Sequence, residues 1–172
     1  MSATEISDMQ VSAIMQKMYV FYKGNREDIN HTVKVHSYAR TIGILEGLPE
    51  KTQKTLEITA IVHDISCPLC RKKYGDTDGK HQEAESEGLV KDFLKEFNLP
   101  SDVLERVVYL VCHHHTYTHV DGPDYQILLE ADFLVNCDES AKYRKGYQTF
   151  KEKVFKTPTG RQMLHEMFPE LG

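Results

Sequence analysis

Histidine and aspartate side chains along the middle of the chain have the composition of a metal site. The candidate ligands are His36, His63, Asp64, His81, His114 and Asp132. Imidazole nitrogens and carboxylate oxygens suit one or two divalent transition metal ions, and Fe, Mn, Co and Zn are all compatible with this set. A metal held in this way generates a hydroxide nucleophile from water near neutral pH. These residue types therefore predict metal-dependent hydrolysis.

Three consecutive histidines, residues 113–115, compete for one ligand position. The helix predicted before them has an apolar stripe formed by Leu104, Val107, Val108 and Val111. Continued in three- and four-residue steps, this stripe reaches His114 and His115 but misses His113. We therefore rank His114 first, His115 second and His113 third.

Length and composition favour one ordinary globular domain. The chain has 172 residues, of which 40% are hydrophobic, so it can form a core without disulfide bonds. A net charge of −5 argues against a long nucleic acid as partner. The sequence has neither a signal peptide nor a membrane-spanning run, so we expect a cytoplasmic protein with reduced cysteines and no membrane partner.

The hydrophobic pattern predicts an all-α protein. Helices are expected over 2–24, 28–47, 49–65, 81–97, 101–115 and 140–155, with another around 128–135 and a short last helix ending near 168–169. Ser2 and Glu5 form a capping box at the first helix. Pro and Gly residues predict a surface loop over 66–79 and a turn at 157–160.

Helical spacing turns each candidate ligand towards the core. The stripes are His36 with Ala39 and Gly43, His63 with Leu56 and Ala60, His81 with Ala84 and Gly88, and Asp132 with Leu128 and Ala131. His31, His119 and His165 are predicted to lie at the surface. A buried His or Asp taken singly is more often satisfied by hydrogen bonding than by metal, so the prediction rests on the joint occurrence.

This set resembles the HD superfamily of metal-dependent phosphohydrolases. The pattern His…His-Asp…Asp matches His36, His63-Asp64 and Asp132, and the resemblance covers roughly residues 30–136. It implies an HD-domain helical bundle spanning 1–172, with residues 137–172 as a C-terminal helical appendage. His81 and His114 take the places of the extra histidines in members that hold two metals.

The resemblance also implies a mechanism and a substrate class. His63 and Asp64 are the implied catalytic residues, with Asp64 bridging two cations. The similarity is closest to the bacterial HD proteins that hydrolyse dinucleoside tetraphosphates. The expected partner is a small phosphorylated molecule such as a nucleotide, and a homodimer is among the assemblies left open.

Two basic clusters offer donors for a substrate phosphate. Lys142, Arg144 and Lys145 follow Asp132 closely and are predicted to bind substrate. For the other cluster, residues 71–73, a role in solubility is slightly favoured. The neighbouring Cys67 and Cys70 are interpreted as loop cysteines without special chemistry, because neither a βαβ setting nor a second Cys pair accompanies them.

Two other functions fit the same residues. A di-iron oxygenase could use a helical site of this ligand count, and a non-catalytic sensor could bind a nucleotide without turnover. Four carboxylates are candidates for orienting the histidines by hydrogen bonding, namely Glu83, Glu85, Glu130 and Asp138.

Overall fold

The computed structural model describes residues 5–172, which fold into α-helices and two short 3₁₀ helices. The α-helices are α1 (Asp8–Phe21), α2 (Arg26–Leu45), α3 (Glu50–Val62), α4 (Cys67–Tyr74), α5 (Gly79–Leu94), α6 (Ser101–Val111), α7 (Pro123–Glu139), α8 (Ala141–Lys145), α9 (Tyr147–Lys153) and α10 (Pro158–Met167). The 3₁₀ helices cover Lys95–Phe97 and Pro169–Leu171. No strand occurs within residues 5–172, which confirms the prediction of an all-α fold.

Polar side chains fix where the first two helices begin. Ser7 accepts a hydrogen bond from the backbone N–H of Gln10 at 3.2 Å and so caps α1. The predicted capping box begins at Ser2, which lies outside the described residues. Asn25 caps α2 by accepting from the N–H of Asp28 at 3.1 Å. This cap starts α2 two residues before the predicted Asp28.

Helix α3 is the centre of the bundle. Every residue from Gln53 to Val62 is buried, so this helix is covered on all sides. One hydrophobic cluster joins α2, α3 and α7, and a second joins α1, α3, α5 and α6. Burial of this central helix fixes the position of the His63-Asp64 pair that follows it.

The C-terminal helices contribute to the first hydrophobic cluster. Phe155, Leu164 and Phe168 are buried in it together with residues of α2 and α7. Residues 158–160, predicted as a turn, form the first turn of α10, because the Thr157 side chain caps the N–H of Gly160 at 2.9 Å. The division into a metal-binding core and an appendage stays a prediction.

The predicted surface loop over 66–79 was wrong in its first half, which is helix α4. Pro68 lies in the first helical turn, where its missing N–H costs no hydrogen bond. Gly75 ends the helix in the left-handed conformation with φ 77°, and its N–H bonds to the carbonyl of Arg71 at 3.1 Å. Pro68 and Gly75 predict a loop from the sequence, but in the structure they mark the two ends of a short helix.

Helix α6 is shorter than predicted. It ends at Val111, so residues 113–115 lie in a turn rather than on the helix. The Tyr125 hydroxyl holds this turn, because it lies 2.8 Å from the carbonyl oxygen of His113 and 2.5 Å from that of Thr116. A contact from α7 therefore shapes the histidine run, and helical phase alone does not.

None of the helices in the described part of the chain has the length and apolar character needed to cross a lipid bilayer.

Candidate metal centre

Side chains from α2, α7 and the segment after α3 converge on one point. The Nε2 atom of His31 lies 3.2 Å from Asp64 Oδ2, 3.2 Å from Asp132 Oδ1 and 3.3 Å from His63 Nε2. His63 Nε2 lies 3.4 Å from the same oxygens of Asp64 and Asp132. Two imidazoles and two carboxylates thus surround a volume the size of a single ion.

Backbone hydrogen bonds orient two of the imidazole rings. His63 Nδ1 lies 2.7 Å from the carbonyl oxygen of Ala60, and His114 Nδ1 lies 2.7 Å from that of Val111. A ring that donates from Nδ1 has its Nε2 lone pair available for a metal. In both residues that Nε2 atom points towards Asp64, at 3.4 Å.

The turn after α6 supplies a second group of candidate ligand atoms. Asp64, His114 and His115 offer atoms that all lie within 4.8 Å of one another, as do His31, His63 and Asp64. The two groups share Asp64. The structure thus has two adjacent groups of candidate ligand atoms with one carboxylate in common.

Several buried polar atoms at this point make no hydrogen bond of good geometry within residues 5–172, although two of them have a polar neighbour at 3.2–3.4 Å. They are His114 Nε2, His115 Nε2 and Asp132 Oδ1. A buried polar atom without a partner costs free energy, so such atoms are rare unless a water or an ion satisfies them. Two imidazole nitrogens and one carboxylate oxygen of this kind beside Asp64 form a set of ligand atoms that suits a divalent metal ion.

The electrostatics of the cluster favour a cation. Burial opposes ionisation of Asp64 and Asp132, but His63 and His31 outweigh it and hold both carboxyl pKa values below their usual range. Burial also opposes protonation of His31, yet Asp132 and Glu139 raise its pKa to about 11. Burial and the neighbouring His114 lower the pKa of His115 to about 4. The cluster therefore holds two ionised carboxylates beside a protonated His31, so positive charge is favoured at this point.

Glu139 orients His31 from the side away from the cluster. One of its carboxylate oxygens lies 2.8 Å from His31 Nδ1, and the other lies 3.1 Å from the Lys34 ammonium. A carboxylate on the far nitrogen of a ligand histidine fixes the ring and makes it more basic. Glu139 was not among the four carboxylates predicted for this role.

Those four carboxylates have other partners. Glu83 accepts hydrogen bonds from the N–H of His115 at 3.1 Å and the hydroxyl of Thr116 at 3.0 Å, so it holds the histidine turn rather than a ring nitrogen. Glu85 pairs with Lys73, Glu130 binds the backbone before α10, and Asp138 lies near Lys34.

The structure does not bring His36 to the cluster, and this corrects the predicted convergence. Its Nε2 atom lies 3.6 Å from Glu57, which also binds Arg40 at 2.8 Å. Residues 31 and 36 of one helix are separated by about 140° around its axis, so both cannot face the same point. His31 takes the expected place of His36, and its prediction as a surface residue was wrong because it is 8% exposed.

His81 is likewise turned away from the cluster. Its ring stacks on Tyr74 with centroids 3.9 Å apart, and Nδ1 lies 2.8 Å from Asp76. The buried face of α5 contains Gln82, Ser86, Val90 and Phe93, so the predicted stripe of His81, Ala84 and Gly88 lies beside this face rather than on it. Because Gln82 and Ser86 are polar, the hydrophobic pattern of the sequence did not indicate that this face is buried.

Two cavities flank the cluster and share His115 and Tyr143 in their walls. The ligand cavity measures about 230 Å³, and its lining includes His31, Asp64, Cys67, Arg71, Asp132 and Glu139. The side cavity measures about 490 Å³, and its lining includes Lys80, Tyr117, Lys142 and Phe150. The side cavity therefore adjoins the ligand cavity at these two side chains.

Of the three predicted substrate-binding residues, only Lys142 lines one of these cavities. The Arg144 guanidinium instead donates to the carbonyl oxygens of Cys137 and Asp138, at 3.2 and 2.8 Å, at the end of α7. Lys145 is exposed and lines neither cavity. Cys67, predicted in a loop, lies at the start of α4 in the wall of the ligand cavity, and burial raises the pKa of its thiol.

Comparison with protein families places this chain in a known group. The model of the HD domain matches residues 28–143. The chain belongs to the HD domain family. In this chain the segment matched by the HD model contains His31, His63, Asp64, His114 and Asp132, while helices α9 and α10 follow it.

A solved structure shares the HD fold. It is the crystal structure of a predicted HD superfamily hydrolase from an uncultured Thermotogales bacterium, with a TM-score of 0.65 and 21% sequence identity. The match covers 95% of this chain and 86% of the other chain. A comparison with curated proteins gave no match. The similarity supports the HD-domain helical bundle predicted from the sequence.

Proposed function

We propose that this HD protein is a metal-dependent phosphohydrolase that cleaves a nucleotide or another small phosphate ester. The observation that carries the proposal is the convergence of His31, His63, His114, Asp64 and Asp132 beside a cavity of about 230 Å³. The HD fold supports a hydrolase of this general kind. The phosphate ester and the metal are our proposals.

The residues present fit one or two divalent cations. His31, His63, Asp64 and Asp132 would hold one cation, and His114 and His115 would hold a second that shares Asp64. A bound cation supplies Lewis acidity, which acidifies water and neutralises phosphoryl oxygen charge. With nitrogen and oxygen ligands only, Fe, Mn, Co and Zn all remain candidates.

The chain itself contributes preorganisation. The backbone carbonyls of Ala60 and Val111 hold the rings of His63 and His114, so no reorientation of these rings is needed when a cation binds. Low carboxyl pKa values keep Asp64 and Asp132 ionised at neutral pH. Fixed dipoles and charges of this kind are the main source of electrostatic catalysis.

The side cavity supports a substrate with an organic group attached to its phosphate. Its volume of about 490 Å³ falls within the range of small-molecule sites. Tyr117, Tyr143 and Phe150 provide ring faces for a base, and Lys80 and Lys142 provide charge for phosphate. Lys142 remains our candidate substrate-binding residue, whereas the surroundings of Arg144 and Lys145 give them no such support.

The test starts with metal analysis of freshly purified protein. A phosphate-release screen over mono- and dinucleotides follows, with each of the four candidate metals added. We expect release by the wild type, and loss of both bound metal and turnover in Asp64→Ala with helical content retained. A matched exposed variant, Asp138→Ala, should keep both. Normal turnover by Asp64→Ala would rule out the proposed site.

The same preparation separates the two alternatives. Oxygen consumption by iron-loaded protein without phosphate release would indicate an oxygenase. Tight nucleotide binding without turnover under all four metals would indicate a sensor.

A further inference from the structure

We propose that Arg71 binds the phosphoryl group of the substrate at the mouth of the ligand cavity. This inference rests on the proposed function. Arg71 belongs to the basic cluster 71–73, for which the sequence slightly favoured a role in solubility.

The ligand cavity is strongly acidic apart from its histidines. The carboxylates that line it are Glu27, Asp28, Asp64, Asp132 and Glu139. Arg71 is the one Lys or Arg side chain in the lining formed by residues 5–172. A phosphate ester approaching the cluster therefore meets carboxylates on most sides, and only Arg71 offers a permanently charged donor on the protein side.

The guanidinium of Arg71 has donors left for a ligand. Within the described part of the chain its one hydrogen-bond acceptor is a single oxygen of Asp28. Arg106 is the contrasting case, because it makes four hydrogen bonds to both oxygens of Asp121 and Asp124. An arginine has five N–H donors in a planar fork that matches two phosphate oxygens. Arg71 can therefore keep Asp28 and still bind a phosphate.

Asp28 holds Arg71 in position. The same Asp28 oxygen accepts a hydrogen bond from the side chain of Asn25 at 2.7 Å, which fixes it to the start of α2. Arg71 itself lies in the last turn of α4, where Gly75 bonds to its carbonyl oxygen. The Arg71 backbone is thus fixed in α4 and its guanidinium is held by Asp28 of α2, so binding a phosphate needs less ordering of a long side chain.

A purely structural role makes different predictions. Positive charge in the last turn of α4 complements the helix dipole, and Lys72 next to Arg71 provides the same charge. Lys72 is exposed and does not line the ligand cavity. If Arg71 served only the helix, replacing either residue would have the same small effect and neither would alter phosphate binding.

The test compares Arg71→Ala, Arg71→Lys, Asp28→Asn and the control Lys72→Ala, all loaded with the metal found in the wild type. Inorganic phosphate is titrated into each by calorimetry, and kcat and KM are measured on the best ester from the screen. Metal content and circular dichroism are recorded in parallel.

We expect Arg71→Ala to weaken phosphate binding about 10- to 100-fold, the size of a charge-assisted hydrogen bond. Most of the loss in kcat/KM should fall on KM, while metal content stays unchanged. Arg71→Lys should recover part of the phosphate binding, because lysine restores the positive charge without the planar fork of N–H donors. The phosphate affinity of Asp28→Asn should lie between those of Arg71→Lys and the wild type. Lys72→Ala should match the wild type.

Phosphate binding by Arg71→Ala within twofold of the wild type would overturn the inference and leave the proposed function intact. If Arg71→Ala fails to fold, Arg71→Lys decides, and wild-type binding by that variant counts against the role of the fork. A wild type that neither binds phosphate nor releases it from any ester would remove the proposed function and this inference together.

Discussion

His31 and His63 approach each other from different segments until their Nε2 atoms lie 3.3 Å apart. Two imidazole nitrogens at this distance need a proton or a cation between them, because both lone pairs otherwise repel. The carboxylates of Asp64 and Asp132 face the same point. A divalent cation bound there would satisfy all four side chains at once.

The first prediction separates His31 from His36, five residues later on the same helix. Replacing His31 with Asn should lower metal affinity by more than the roughly 10- to 100-fold expected for an outer partner, because a candidate ligand is lost. The matched variant His36→Asn should keep its metal, since His36 faces Glu57 instead. Elemental analysis after dialysis against a weak chelator measures both. Equal metal loss in the two variants would contradict the geometry.

Glu139 and its neighbour Asp138 provide a second matched pair. Glu139→Gln should weaken metal binding about 10- to 100-fold, because Glu139 holds Nδ1 of His31 at 2.8 Å. Asp138→Asn should have little effect, since that carboxylate only approaches Lys34 at 3.5 Å. Competition titration with a metal indicator dye gives the two dissociation constants. The prediction fails if the exposed neighbour matters as much as Glu139.

His115 and His81 test the number of metal ions. His115→Ala should reduce the second equivalent of bound metal while the first remains, because His115 belongs only to the group that includes Asp64 and His114. His81→Ala should leave both equivalents, since His81 stacks on Tyr74 outside the cluster. Metal-to-protein ratios from mass spectrometry and calorimetry check this. Loss of metal in His81→Ala alone would restore the original prediction for that residue.

Glu57 should account for part of the decrease in folding stability at low pH. Burial raises its carboxyl pKa, but His36, Gln53 and Arg40 outweigh burial and lower the pKa to about 2. Because this folded-state pKa lies below the ordinary glutamate value of 4.5, Glu57 adds stability above about pH 4.5 that is lost as the pH falls towards 2. The free energy of unfolding of Glu57→Gln should therefore fall less steeply over that range.

Urea denaturation at several pH values measures this slope. Glu152→Gln, at an exposed position on α9, is the control and should follow the wild type. Parallel acid curves for the wild type and Glu57→Gln would show that Glu57 has no such linkage.

Two glycines predict opposite effects of the same substitution. At Gly160 a Cβ atom would lie 2.7 Å from the Thr157 hydroxyl and would also meet the buried Glu130 carboxylate. Gly160→Ala should therefore destabilise the protein by about 1–3 kcal/mol. At Gly88, a helical position, a Cβ atom would meet nothing within 4 Å, so Gly88→Ala should stabilise α5 by about 0.5–1 kcal/mol. Chemical denaturation of both variants gives the two signs, and equal signs would refute the packing at Gly160.

The helical pattern was enough to predict the fold class and most helices. It did not predict α4, because Pro68 and Gly75 break a helix in its interior but are favourable at its ends. The effect of Pro or Gly depends on where the residue lies relative to the end of a helix, and the helix ends were not known from the sequence. The early end of α6 depends on Tyr125, which is distant in sequence.

The residues of the candidate site were likewise predicted only in part from the sequence. His63, Asp64, His114 and Asp132 converge in the structure, and their binding of a metal stays a prediction. His36 and His31 both lie on α2, and only the observed buried face, which contains His31, Val35, Ala39 and Ile42, separates them. The spacing of these four residues is helical and was available in the sequence, but Ala39 and Gly43 suggested His36 instead. Glu139 had no sequence signal, because its role depends on how α2 and α7 pack.

Gly79 opens α5 directly against the imidazole of His115. A Cβ atom at this position would lie 2.7 Å from both Cβ and Cγ of that ring. Alanine at residue 79 would therefore require His115, one of the candidate ligands grouped with Asp64, to shift its side chain or backbone. The geometry of the proposed second cation position thus depends on the absence of a methyl group in a neighbouring helix. We expect Gly79→Ala to weaken that proposed position without changing any candidate ligand.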